Sequence, residues 1–246
     1  MIEFRGVTKV YGKAGKKALD HLDLTVQTGE LFGFIGPNGA GKTTSIKILT
    51  GILTPTEGET LVDGVSIQRE PIRAKKLLGF VPDGADLFER LTGMEYLNFM
   101  GDMYDVKADD RKRRIGHYLE MFEMTEAAGT QIRNYSKGMR QKIATIGALI
   151  HDPSVWVLDE PMMGLDPRAA FLLKEEMKRQ CEAGKTVFFS THVLEVAEKL
   201  CTRIAVIHHG EKVAEGTLEE LRSQEHASTL EEIFLDLTGK EEAAEA

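Results

Sequence analysis

The chain has little of what several common protein classes require. Only two of its 246 residues are cysteine, Cys181 and Cys201, far apart, and no Cys or His recurs at metal-ligand spacing. A disulfide scaffold and a zinc module are therefore excluded, and a reduced, cytoplasmic protein is expected, its cysteines packing in helices rather than reacting. No apolar run approaches the ~20 residues that cross a bilayer; the longest, residues 143–150, falls far short. The opening MIEFRGVTKVYG lacks the apolar core of a secretory leader, so none is expected. Any work at a membrane needs other chains to supply the spanning part. Basic charge is also in deficit: 31 Lys and Arg against 39 Asp and Glu leave −8, which argues against a broad nucleic-acid surface. Internal repeats are missing.

What remains is a well-cored α/β composition, with 42% hydrophobic and 28% charged residues in a length that suits one large domain or a domain with an inserted lobe. Residues 2–10 and 22–26 alternate as strands, with turn signals at Gly12, Gly15 and Gly29, and 31–35 reads as a buried strand. A helix is expected from Thr43, with Ile46, Leu49 and Ile52 at near-helical spacing, then a strand near 59–62. From about 83 to 150 the pattern is helical. Thr92 and Glu95 form a capping box, after which Tyr96, Phe99, Met100, Met103 and Tyr104 fall on one predicted face. The charged run 109–114 is expected to face solvent. Strand signals return at 155–158, 187–190 and 204–208, separated by helical stretches, the mark of a parallel sheet with crossover helices. Two capped helices close the chain, at Thr217 and Thr229, with Leu230, Ile233, Phe234 and Leu237 as a packing stripe and 241–246 expected to fray.

Two segments carry chemistry. Directly after the 31–35 strand comes a complete P-loop: Gly36, Pro37, Asn38, Gly39, Ala40, Gly41, Lys42, Thr43 and Thr44. Glycines let the backbone turn its N–H groups toward an anion, the following helix N-terminus adds positive potential, and Lys42 brings a charge to the β/γ-phosphates. Thr43 is the expected Mg²⁺ hydroxyl. Residues 155–160, VWVLDE, end an apolar strand in two carboxylates. Asp159 suits Mg²⁺, and Glu160 is placed to accept a proton from an attacking water. An acidic turn after a strand is unremarkable by itself; beside a P-loop it reads as catalytic. The guanine-reading Asn-Lys-x-Asp stretch is missing, so GTP is not indicated. The second segment is NYSKGMRQK, 134–142, where Ser136 can cap a helix pointing at an anion and Gly138 permits close backbone approach.

Segment 135–139, followed by Arg140-Gln141-Lys142, resembles the signature of ATP-binding-cassette ATPases. The order agrees: P-loop, signature, Asp159-Glu160-Pro161, Met163-Gly164-Leu165-Asp166, then Ser190-Thr191-His192. The resemblance covers nearly the whole chain. It is greatest to nucleotide-binding subunits of bacterial export-type or multi-subunit ABC transporters. It implies a P-loop NTPase core with a mainly parallel sheet, an N-terminal antiparallel β subdomain and an inserted α-helical subdomain. The whole of 1–246 would be one ABC ATPase domain: 1–82 and 151–215 as β subdomain plus RecA-like core, 83–150 helical with the signature, 216–246 as C-terminal helices. It further implies an ATPase with ATP and Mg²⁺, working as a head-to-tail homodimer or heterodimer on polytopic membrane subunits at the cytoplasmic face, without nucleic acid. By the same likeness His192 contacts the γ-phosphate, Tyr11 lies against adenine, Asp166 sits at the dimer seam, and the partner-facing surface lies near 83–104.

Two departures stand out. Asp83 occupies the position where this family usually has Gln, which adds a possible metal carboxylate, and Lys137 and Met139 replace the usual Gly and Gln of the signature. Two rival readings are a soluble cassette ATPase acting on ribosomes or DNA, and a non-catalytic nucleotide-gated module. The first usually joins two cassettes or inserts long coiled coils, and neither appears. The second does not need Lys42, Asp159, Glu160 and His192 together.

Overall fold

In the computed structural model, residues 1–12, 15–84, 87–225 and 229–242 are described. The chain begins with β1 (Ile2–Tyr11), β2 (Lys16–Val26) and β3 (Leu31–Ile35), then α1 (Lys42–Leu49), β4 (Glu57–Val62), β5 (Val65–Ser66), α2 (Pro71–Lys76) and β6 (Leu78–Val81). Helices α3 (Gly93–Met103), α4 (Ala108–Met121) and α5 (Lys137–Leu149) follow. Then come β7 (Val155–Asp159), α6 (Pro167–Glu182), β8 (Thr186–Thr191), α7 (Leu194–Leu200), β9 (Arg203–His208), β10 (Glu211–Gly216), α8 (Leu218–Glu225) and α9 (Leu230–Glu242).

The strands sort into two sheets. One is antiparallel, in order β2-β1-β4-β5; the other has six strands in order β10-β9-β3-β8-β7-β6, parallel except for β10. Their sequences explain the difference. β3, β7 and β8 are buried at every position, as strands covered on both faces must be. β2 instead alternates in its second half, with Leu22, Leu24 and Val26 inward between exposed neighbours. Phe188 of β8 joins the sheets, with Phe32 at 5.8 Å, Phe34 at 5.4 Å and Phe4 of the antiparallel sheet at 6.5 Å. Each buried ring contributes on the order of 2–3 kcal/mol.

Helices α3, α4 and α5 close around Leu97, Ile115, Leu119, Ile143 and Ile146, and this core continues to Trp156 of β7. The Thr92 capping box forms as expected. Thr217 and Thr229 likewise exchange hydrogen bonds with Glu220 and Glu232. The stripe of α9 packs on Ile35, Val206 and Leu221. Of the expected frayed end, 241 and 242 complete α9 and the rest lies outside the described residues.

Three expectations are corrected. Ile52 is not on α1: Thr50 caps the helix, Gly51 turns at φ +66°, and Ile52 is exposed. The buried face of α3 is Gly93, Tyr96, Leu97 and Gly101, while Phe99 and Met103 are exposed, because the lobe core lies one residue further round than the aromatic stripe suggested. Within 109–114, Arg114 turns inward to the Ile150 carbonyl (2.8 Å) and Asp152 (3.1 Å) instead of facing solvent. Sequence reading also passed over α2 and β10, both short and polar.

Candidate active site

The P-loop lies where the carboxyl ends of β3, β7 and β8 converge. Parallel register sets Ile35 beside Thr191 and Asp159 beside Ser190, so the loop after β3 faces the ends of both neighbours. The loop's turn needs glycine. Gly41 sits at φ +114°, and a Cβ there would lie 2.7 Å from the Ala18 carbonyl. At Gly36 a Cβ would lie 2.3 Å from the Ile207 carbonyl. The result is a cavity of about 520 Å³, large enough for a nucleotide. Its lining includes Pro37, Asn38, Gly39, Gly41, Thr43 and Thr44 from the loop, joined by Lys42, Asp83, Glu160 and His192.

Lys42 is nearly buried. Its ammonium donates to the carbonyls of Gly36 (2.6 Å) and Pro37 (3.1 Å) and stands 3.9 Å from Glu160. Burial pulls its pKa below the ordinary lysine value, partly countered by Glu160 and Asp159. Asp159 is buried too, and burial raises its pKa against the hydrogen bonds from Ser190 and Thr43. Ser190 Oγ donates to Asp159 Oδ1 at 2.5 Å and accepts the Glu160 N–H at 3.1 Å. One hydroxyl therefore fixes the Asp159 carboxylate and the Glu160 backbone. Glu160 turns at φ +47°, costly for a non-glycine residue, which aims its side chain toward His192 Nδ1 at 3.0 Å.

The oxygen donors suit Mg²⁺. Thr43 is hydrogen-bonded to the buried Asp159, and Asp83 lines the same cavity. Among the described residues no group of three or more Asp, Glu, His or Cys is gathered into a ready metal cage. Magnesium does not ask for one, since it is usually held by one or two carboxylates plus phosphates and water.

Not every expected residue is in the cavity. Ala40 is buried in the loop behind it. Tyr11, at the end of β1, is 44% exposed with Lys9 5.5 Å from its ring, and Ala18 rather than Tyr11 lines the cavity. Ser136 caps α5, accepting the Met139 N–H at 3.2 Å, and Gly138 lies against the Gly164 carbonyl. Asp166 caps α6 through the Ala169 N–H at 2.9 Å, with Lys142 at 3.7 Å. Among the described residues, none of 134–142 lines the cavity. Sequence reading missed Ala18 and Met163 as lining and Ser190 as the shared clamp. For Ser190 the signal was available: a hydroxyl ending the strand beside the one that ends in Asp-Glu.

The sequence profile of the ABC transporter family matches residues 19–163. The Nod factor export ATP-binding protein I of Cupriavidus metallidurans is 37% identical over 236 residues, 96% of this chain and 77% of that protein. The ABC transporter ATP-binding protein NatA of Bacillus subtilis is 36% identical, with 89% of each chain covered. Among solved structures, an ATP-binding subunit of an ABC transporter superposes with a TM-score of 0.92 at 30% identity, covering 96% of this chain and 99% of the other. A dimeric cassette in a post-hydrolysis state bound to ADP and Pi gives 0.81 at 28%, covering 89% and 99%. With the cavity, its lysine, its carboxylates and the ordered motifs in agreement, this chain belongs to the ABC transporter family, as an ATP-binding subunit and ATPase.

Proposed function

We propose that this subunit hydrolyses Mg·ATP at a site shared between two chains, paired head to tail as a homodimer or with a second ATPase subunit. The observation that carries the reading is that none of 134–142 lines the cavity of its own chain, while Ser136 opens a helix whose N-terminus is exposed and has no acidic residue in its first turn. Such an end favours an anion. The nucleotide held by a facing chain supplies it, with Ser136 and Gly138 approaching the phosphates and Asp166 at the seam.

Within each pocket, Lys42 exchanges its carbonyl partners for the phosphates. Tyr11 lies against the adenine. Thr43, Asp159 and Asp83 would hold the magnesium, whose positive charge would offset that of the phosphates. Glu160 accepts the proton of the attacking water, and His192, already 3.0 Å from Glu160, holds that carboxylate and meets the γ-phosphate. Closure and release of the pair drive separate polytopic membrane subunits, placing the chain on the cytoplasmic face, with 83–104 toward the membrane partner. No described helix is long and apolar enough to cross a membrane. The β subdomain and RecA-like core of 1–82 and 151–215, the helical 83–150 and the tail 216–246 act as one cassette, without a nucleic-acid partner.

The test is Glu160→Gln with Mg·ATP. It is expected to bind nucleotide and run as a dimer by light scattering; a strict monomer, also in the presence of its membrane partners, contradicts the shared site. Asp83 sharpens the metal dependence, since its carboxylate repels metal-free ATP. Asp83→Gln is expected to bind ATP in EDTA several-fold more tightly than the parent, on the order of 1 kcal/mol for one nearby like charge. Equal binding of metal-free ATP removes Asp83 from the metal's surroundings.

A further inference from the structure

The stretch 87–92, ahead of α3, does not run freely into the helix. It is clipped to the stretch that leads into Ser136. The Leu91 carbonyl accepts the Ile132 N–H at 2.9 Å, the Glu89 carbonyl accepts the Arg133 N–H at 3.0 Å, and Gln131 Nε2 donates to the Arg90 carbonyl at 3.1 Å. Thr92 and Gln131 complete an antiparallel bridge. Two short segments, a turn at 89–91 and a single 3₁₀ turn at Ile132–Asn134, thus lie side by side, one downstream of a pocket residue and one just upstream of the signature.

Arg140 ties the signature helix to both sides of this clip. Its own N–H closes the first turn of α5 on the Ser136 carbonyl at 3.0 Å. Its guanidinium reaches back, with Nη1 3.1 Å from Glu89 Oε1 on one segment and Nη2 3.3 Å from the Arg133 carbonyl on the other. A planar fork makes two such contacts at once, which an ammonium does not match. Glu89 is well exposed, and an exposed pair contributes little to fold stability. Its value is therefore positional.

The opposite side of the helix start is tethered as well. The stem of Lys137 covers Gly164, and the Lys142 ammonium lies 3.7 Å from Asp166. That turn follows Glu160 as the clip follows Asp83.

We infer that the Arg140–Glu89 pair is a positioning latch: it sets where Ser136 and Gly138 stand by tying them to the segment that leaves the same chain's nucleotide pocket. The inference rests on the shared-site reading above. It also assigns the charge of Arg140 to Glu89 rather than to the facing phosphates, and those two assignments predict opposite outcomes.

The experiment uses the full chain carrying Glu160→Gln in saturating Mg·ATP, and reads the protein concentration at half-dimerisation by sedimentation. Glu89→Ala is expected to raise that concentration about tenfold, the product of roughly threefold at each of two symmetric seams. Reversing the pair, Glu89→Arg with Arg140→Glu, restores it in part, since a carboxylate at 140 cannot donate to the Arg133 carbonyl, whereas Arg140→Glu alone does not. ATP affinity of the dilute single chain stays unchanged in Glu89→Ala, as does its melting temperature. Equal or tighter pairing of Glu89→Ala overturns the latch, because a freed Arg140 would then be serving phosphate. A reversed pair no better than Arg140→Glu, or a matching loss of single-chain ATP affinity, overturns it too. A Glu160→Gln parent that never pairs fails separately and visibly: it removes the shared site and the latch with it.

Discussion

The phosphate pocket and the signature segment are built on different physical terms. The pocket is made by register: β3, β7 and β8 are buried and parallel, so their ends, and with them Lys42, Asp159 and Glu160, stand together before any ligand arrives. The signature start is made by tethers: a serine cap, one guanidinium, and a lysine stem over a glycine, all at the surface. A buried strand end cannot shift without breaking ladder bonds and packing. A tethered helix start can. The pocket is therefore preformed within its chain, and on the proposed reading the signature is completed by another.

Changes in the pocket should accordingly abolish binding or chemistry within one chain. The largest expected effect is Glu160→Gln, which lowers single-turnover phosphate release by ~10²–10⁴ while ATP binding persists. Unchanged release would show that the carboxylate 3.0 Å from His192 is not the base. Lys42→Ala comes next, with ATP affinity of the isolated chain about 10- to 100-fold weaker by calorimetry, the loss of a charge-assisted bond in a nearly buried site. A change under twofold would mean the lysine keeps its Gly36 and Pro37 carbonyls in the bound state.

The seam between lobe and core offers a pH test. His151 stacks on Tyr104 at 3.6 Å and donates Nε2–H to the Leu78 carbonyl at 2.9 Å, and burial depresses its pKa to about 4. A histidine whose folded pKa is depressed contributes stability above its unfolded value near 6.5 and loses it as pH falls toward 4. The shift corresponds to about 3 kcal/mol at most. His151→Gln should flatten the melting temperature between those limits; an identical acid profile in the variant would place the lability elsewhere. The smallest effect is Ser136→Ala, about 1 kcal/mol of stability for a lost cap. Its single-chain ATP affinity should be untouched, and a large drop there would erase the distinction between the two regions.

Much of this was legible because it is local. The P-loop, the strand running into Asp159-Glu160 and the helix caps at Thr92, Ser136, Thr217 and Thr229 each rest on a few consecutive residues. What escaped depended on partners distant in sequence. Ser190 gains its role only because β8 lies beside β7, and Ala18 reaches the cavity only because β2 folds under the loop. On α3 the aromatic stripe gave the right helix but a displaced face, because Gly101, packed under Arg111, and Leu97 set the side that meets the lobe core. Ile52 kept the helical spacing after Gly51 had already turned the chain.

The most direct measurement mixes two crippled chains. Lys42→Ala lacks a working pocket and Ser136→Glu lacks a working signature, so each alone should hydrolyse almost no ATP. Mixed, the pocket of the second meets the signature of the first, and hydrolysis should reappear with the mixing ratio, greatest at equal amounts. A mixture no more active than the average of its two parents would mean that each chain finishes its own site.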